Sequence, residues 1–221
     1  MGMKRVLASV LAAAMIFGCA VTASAADSPV KPDKTATTYT DKNAKDHNKK
    51  VITSTVSKKA VTVVKVTSNK KKGKSATTVV FKVARNKKNK KVAITNLGNK
   101  KKGIFDSKKG RRIKKVYIAS KKKVTINKNA FKGSKVTNLY VKSKLNVKKN
   151  AFKGTKVKNL KIKIYGPKKT AKSYTFAKGA FKGLSSKAKV TVSKKTMTKK
   201  QFKKLAKKLR KAGFKGKIVR K

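Results

Sequence analysis

Glutamate and tryptophan are absent from this 221-residue chain, cysteine and histidine occur once each, and proline three times. Each shortage closes off a chemistry. The five acids are all aspartates, at positions 27, 33, 41, 46 and 106, so beyond His47 the chain holds one side-chain carboxylate, Asp106. Acid–base work by paired carboxylates needs two acids side by side, and oxygen-rich cation sites need more. His47, the single histidine, stands in a polar stretch and reads as an ordinary solvated side chain. A lysine nucleophile requires one amine set apart by burial or neighbours, and the pattern singles out none. Phosphate-cradling GxGxxG and GxxxxGK[ST] loops are missing as well. No catalytic, cofactor-binding or metal-binding residue is therefore expected, nor a small-molecule substrate, and the chain reads as a non-enzyme.

Lysine is what the chain has in excess. Sixty-six Lys and Arg face five Asp, a formal charge of +61, where small domains carry a magnitude of roughly 2–8. The start of the chain explains where such a protein goes. Lys4 and Arg5 precede a mostly apolar run from Val6 to Val21, and Ala23-Ser24-Ala25 offers the small residues that signal peptidase accepts. This reads as a secretory leader cut near Ala25, which places the protein outside the cell or at the wall. Ile16-Phe17-Gly18-Cys19 also resembles a lipobox, in which Cys19 would carry a lipid anchor, although Phe17 is bulkier than that pattern takes. Cleavage after Ala25 removes the only cysteine, and with it disulfides and thiolate metal sites. It also removes Lys4 and Arg5, taking the charge from +61 to +59. No later run reaches the 18 or so apolar residues of a membrane span.

Composition divides the rest. Residues 26–50 are rich in Pro, Thr, Asp, Asn and Lys with almost no large apolar residue, the make-up of a flexible spacer. Residues 51–95 carry β-branched, partly alternating runs (ITSTVS, AVTVVKVTS, TTVVFKVAR) split by charged turns, and predict three or four strands. From residue 96 to 192 the chain repeats itself. VTINKNAFKGSKVTNLYV (124–141) is followed by LNVKKNAFKGTKVKNLKI (145–162), which sets Phe131 and Phe152, Gly133 and Gly154, and Leu139 and Leu160 each 21 residues apart. A looser copy holds Phe181 and Gly183 after an insertion at 165–172, and a weaker one holds Phe105. A period in the low twenties marks a leucine-rich solenoid, whose units cannot bury their apolar face alone and must stack. In each unit Val124, Ile126, Leu139 and Val141, then Val147, Leu160 and Ile162, read as inward strand positions. Ala130 and Phe131 fall in a short helical or 3₁₀ turn with phenylalanine plugging the coil. Gly133 supplies φ > 0, and Asn129 and Asn150 suit hydrogen bonding to the turn.

NAFKGSKVTNLYV and NAFKGTKVKNLKI resemble the BspA-like leucine-rich repeats of secreted and surface proteins of bacteria, whose units carry I-x-x-x-A-F-x-x-C/G-x-x-L-x-x-I. The resemblance covers roughly residues 92–192. It implies a solenoid and an extracellular role in adhesion or surface binding, and it brings no catalytic residue, because the family shares none. The expected architecture is mainly β: a short leucine-rich-repeat solenoid with a β-rich N-terminal portion and a C-terminal capping α-helix.

That last element is residues 193–221. Thr198 with Gln201 three residues on forms a capping-box pattern, Phe202, Leu205, Ala206, Leu209 and Ala212 follow helical spacing, and Gly213 stops the helix with Phe214 in reach of Leu209. The opposite face is Lys199, Lys200, Lys203, Lys204, Lys207, Lys208 and Lys211, the candidate polyanion-binding residues. The face suits anionic polymers such as wall teichoic acid, sulfated glycans or extracellular DNA, or else an anionic membrane surface on which a cationic amphipathic helix lies. The plainer alternative is a lysine surface that only solubilises. The leader reading has its own test: mass spectrometry of the exported protein should find an N-terminus at Ala26, whereas diacylglyceryl-modified Cys19 would make it a lipoprotein.

Overall fold

The computed structural model describes residues 61–68, 77–83, 92–100, 102–166 and 173–221, and of residues 31–32, 38–40, 50–56, 70–71, 74–75, 84–85 and 91 the backbone alone. The expected leader, Cys19 and His47 lie outside the described residues. In chain order the strands before the repeats are β1 (Lys31–Pro32), β2 (Thr38–Thr40), β3 (Lys50–Val56), β4 (Val61–Ser68), β5 (Lys70–Lys71), β6 (Lys74–Ser75), β7 (Thr78–Phe81), β8 (Val83–Arg85) and β9 (Lys91–Ala93). The repeats supply β10 (Asn96–Leu97), β11 (Lys115–Ile118), β12 (Val124–Ile126), β13 (Asn138–Val141), β14 (Leu145–Val147), β15 (Lys161–Ile164), β16 (Tyr174–Phe176) and β17 (Lys189–Val192). Helix α1 (Lys199–Lys211) and β18 (Lys217–Arg220) end the chain. More strands form between residues 51 and 95 than the three or four the sequence predicts, because the charged NKKKGKS connection pairs on itself as β5 and β6, and the TTVVFKVAR run divides into β7 and β8, the latter pairing with β9.

Two larger sheets carry the fold. One has the order β1-β2-β3-β4-β10-β12-β14-β16, antiparallel up to β4 and parallel after it; the other is wholly parallel, in the order β18-β17-β15-β13-β11-β7. From β10 to β17 successive strands alternate between the two sheets, so the chain passes from one to the other and back before each strand settles beside its predecessor. The period-2 pattern decides which side chains turn inward. Val124 and Ile126, Leu139 and Val141, Leu145 and Val147, and Ile162 and Ile164 are all buried.

The register corrects one expected equivalence. On the first sheet Val124 pairs with Leu145, 21 residues on, as the repeat spacing predicts. On the second, Leu139 pairs with Ile162 and not with Leu160. The second unit holds two extra residues between its turn and its strand. Because KIKI alternates, a slip of two keeps every apolar side chain on the inner face, whereas a slip of one would expose the whole strand. Leu160 is buried just ahead of β15.

The NAFKG turns follow from backbone stereochemistry. Bonds from Ala130 N–H to the Asn127 carbonyl (3.1 Å), Lys132 N–H to Asn129 (2.9 Å) and Ser134 N–H to Phe131 (3.0 Å) span three residues each, the 3₁₀ pattern. Asn129 and Asn150 take φ of +62° and +61°, left-handed values that asparagine tolerates, and the third copy places Gly179 there at +73°. Gly133 has φ +71°, and a Cβ on it would collide with Asp106 Oδ1. Adjacent turns bond each other through Asn129 N–H to Asn150 O, Phe131 N–H to Ala151 O and Gly133 N–H to Gly154 O, at 2.9–3.1 Å.

Between the sheets runs a column of phenylalanines. Ring centroids of Phe81 and Phe105 are 6.4 Å apart, Phe105 and Phe131 5.4 Å, Phe131 and Phe152 4.8 Å, Phe152 and Phe181 5.8 Å, and Phe181 and Phe214 5.3 Å. Phe214 enters from the end of α1. Thr198 and Gln201 form the reciprocal capping box there, at 3.1 and 3.3 Å. At the other end Phe214 N–H reaches the Leu209 carbonyl and Gly213 N–H the Arg210 carbonyl, a Schellman pair with Gly213 at φ +88°. Leu205, Leu209 and Ala212 are buried, and α1 packs on β16. Truncating Phe131 or Phe152 to alanine should each cost about 3–5 kcal/mol, a large part of a stability of about 5–15 kcal/mol. Thermal melting of the two variants tests this, and melting at the parent's midpoint would refute a shared column.

Candidate functional site: lysine rows and a groove

The helix lysines divide. Lys199, Lys200, Lys203, Lys204, Lys207 and Lys211 are exposed, while Lys208 is half-buried and its Nζ donates to the Tyr174 carbonyl at 3.2 Å. Six of the seven candidates thus form a solvent-facing cationic surface, and the seventh fastens α1 to β16. The apolar face of the same helix is spent on the core.

Further lysines are aligned by register, which the repeat motif alone did not reveal. On the outer face of the second sheet the pairing puts Lys161, Lys189 and Lys217 on neighbouring strands in one row, with Lys115 further along it. Strand spacing sets the step at about 4.8 Å. The adjacent row holds Tyr117 and Tyr140, stacked at 4.3 Å with ring planes 7° apart, and Lys163, whose Nζ lies 5.6 Å from the Tyr140 ring centroid. The turns add Lys128, Lys149 and Lys178, and Lys132, Lys153 and Lys182, all exposed and at equivalent places in the three NAFKG-like units. Two unit charges about 5 Å apart in water repel by roughly 0.8 kcal/mol, so each row needs counterions or an anionic partner. The outer face of the first sheet differs: Thr62, Asn96, Thr125, Asn146 and Thr175 make an uncharged row, in which Thr175 Oγ1 donates to Asn146 Oδ1 at 3.0 Å.

A groove of about 840 Å³ opens where the chain leaves the second sheet for the first. Its walls include Val80, Ala119 and Tyr165, and Lys121, Lys142, Lys144 and Lys195 stand exposed around it. Ser143 Oγ lies within donating distance of the Ile118 and Ser120 carbonyls, at 3.1 and 2.7 Å. The Tyr174 hydroxyl donates to the carbonyl of Gly166, a wall residue. The recurrence of Ser and Lys after β11, β13 and β17 (IASKKK, VKSK, VSKK) is a sequence signal for this groove.

Asp106 occupies a structural position. Its carboxylate pairs with Arg111 at 3.1 Å, and the neighbouring turn is capped by Ser107, whose Oγ accepts from Gly110 N–H at 3.0 Å. Among the described residues no three His, Cys, Asp or Glu side chains come together. No family model, characterised protein or solved structure matches this chain.

Burial pushes the Tyr174 hydroxyl above its ordinary value of 10.0. A raised folded-state pKa contributes stability that is present below pH 10 and lost as pH rises, because the unfolded chain gives up that proton first. Parent protein should therefore lose stability above pH 10 relative to Tyr174→Phe, the variant serving to subtract lysine titration common to both. Parallel melting curves against pH for the two would contradict this.

Proposed function

We propose that the chain is an exported, non-enzymatic surface protein, a solenoid of the leucine-rich type akin to the BspA-like repeats, that binds linear polyanions through its lysine rows. The observation that carries the reading is the recurrence of lysine at fixed register positions, which turns repeated sequence into continuous lines of charge along the stack. Wall teichoic acid, anionic glycans and extracellular DNA all present anions at regular intervals. Arginine supplies only six of the 66 cations. Lysine is a hydrated point charge without the planar fork that reads a phosphate bidentately, so the rows favour avidity over fine geometric choice.

The competing reading is a membrane-active cationic helix. It asks α1 to give its apolar face to lipid, yet Leu205 and Leu209 are buried in the fold. Among the described residues no helix is long and apolar enough to cross a membrane. Polyanion binding uses only the exposed lysines and leaves the core intact, so it is preferred.

Polyanion binding should weaken steeply with salt, because every neutralised phosphate or sulfate releases counterions. With six or more contacts the affinity should fall by about 10³ or more between 50 and 200 mM salt. Teichoic acid, heparin or DNA should raise the melting temperature in low salt by mass action, and neutral glucan should not. Affinity indifferent to salt, or tight selective binding of the glucan, would sink the proposal.

A further inference from the structure

We infer that the groove at the corner where the chain leaves the second sheet for the first, rather than the helix face, is where a polyanion drawn to the lysine rows is held most tightly, and that its occupant is a single extended polyol-phosphate chain of the teichoic-acid kind. This rests on the polyanion reading above. The groove is lined by residues following β7, β11, β13, β15 and β17, so it runs along the stack, and four strand steps make it about 19 Å long. A volume of about 840 Å³ over that length admits one extended chain. A DNA duplex, whose major groove alone is about 12 Å wide, is too broad to enter.

The chemistry of the walls narrows the occupant further. Val80 and Ala119 give apolar contact for the carbon backbone of a polymer, and Lys121, Lys142, Lys144 and Lys195 stand around it to meet its anions. The Ser143 and Thr196 hydroxyls are directed at carbonyls of the fold, and the lysines are the cations among the remaining polar groups of the lining. Single-stranded nucleic acid is held largely by stacking bases on aromatic faces. The ring in this lining, Tyr165, is half-buried and already engaged elsewhere. A ring-poor phosphodiester chain gives up nothing by that. Residues 167–172 carry three lysines, and a second copy of this chain is equally cationic, so like charge weighs against either as the occupant.

The test compares two charge-matched variants of the purified protein. One changes Lys121, Lys142, Lys144 and Lys195 to Gln; the other changes Lys199, Lys200, Lys203 and Lys207 to Gln, and a Lys→Arg version of the first set controls for charge. Probes are lipid-free polyglycerolphosphate, an oligo-dT single strand and duplex DNA, each titrated at several salt concentrations. The groove variant should lose about tenfold or more in affinity for polyglycerolphosphate, and its salt slope should shrink by about 3, near 0.7 for each lost contact. The helix variant should lose about threefold or less, and the arginine version should bind like the parent. Equal losses in the two Gln variants would overturn the groove while leaving general polyanion binding in place. Tighter binding of oligo-dT than of polyglycerolphosphate would reassign the occupant to nucleic acid. A parent that binds none of the probes overturns the groove and the polyanion reading together.

Discussion

The phenylalanine column is the interaction on which this architecture depends. Proteins with ordinary composition fasten neighbouring elements partly with ion pairs, but beyond His47 this chain has one side-chain carboxylate, and Arg111 takes it. Cohesion has to come from apolar contact and backbone hydrogen bonding, neither of which needs a counter-charge. Phe81, Phe105, Phe131, Phe152, Phe181 and Phe214 each touch the next ring, so every unit is joined to its neighbour through the middle. The parallel ladders join the same units along both walls, and the turn-to-turn bonds join them at the corner. Lysine is then free to fill outward positions, because none of these links passes through the surface.

The parts of this design that were legible in the sequence are those governed by local rules. Phe131, Phe152 and Phe181 stood at matching places in repeated text, and all three are in the column. Thr198, Gln201, Gly213 and Phe214 announced both ends of α1, because capping chemistry is written within a few residues of the helix end. Register was harder. Leu139 and Leu160 look equivalent at a spacing of 21, yet pairing is set by where each strand begins, and an alternating strand can slide by two without exposing an apolar side chain. The row of Lys161, Lys189 and Lys217 depends on that slide, so it too was hidden. So was the anchoring role of Lys208, which looks like its neighbours on a helical wheel and differs only because β16 begins beside it. The groove brings together residues from Val80 to Thr196, a separation no local pattern encodes.

Charge and scaffold thus occupy different layers. The inner layer is close to uncharged and fixes the distances, while the outer layer repeats whatever side chain stands at each outward position. Where that side chain is lysine, the repeat becomes a charged line; where it is threonine or asparagine, as along Thr62, Asn96, Thr125, Asn146 and Thr175, the same geometry yields a neutral one. This row is therefore set apart in charge from the lysine rows of the other sheet. A bound polyanion would be drawn to the lysine-bearing sides and would leave the neutral row open to water or to a second surface.

The backbone pairing of the turns also bears on how such a chain withstands proteases. Proteases that cut after lysine or arginine find 66 such residues in 221, and an unfolded chain of this composition would be reduced to very short peptides. Cleavage requires a stretch of backbone to be lifted out and extended, and exposed loop tips are ordinarily where that happens. Here the turns that carry Lys128, Lys132, Lys149 and Lys153 are bonded to the turns beside them, so a lysine side chain can be fully solvated while its peptide bond stays locked. Resistance to digestion then follows the rarity of local opening. In a fold whose composition invites proteolysis at every third or fourth residue, the hydrogen-bonded corner serves as its armour.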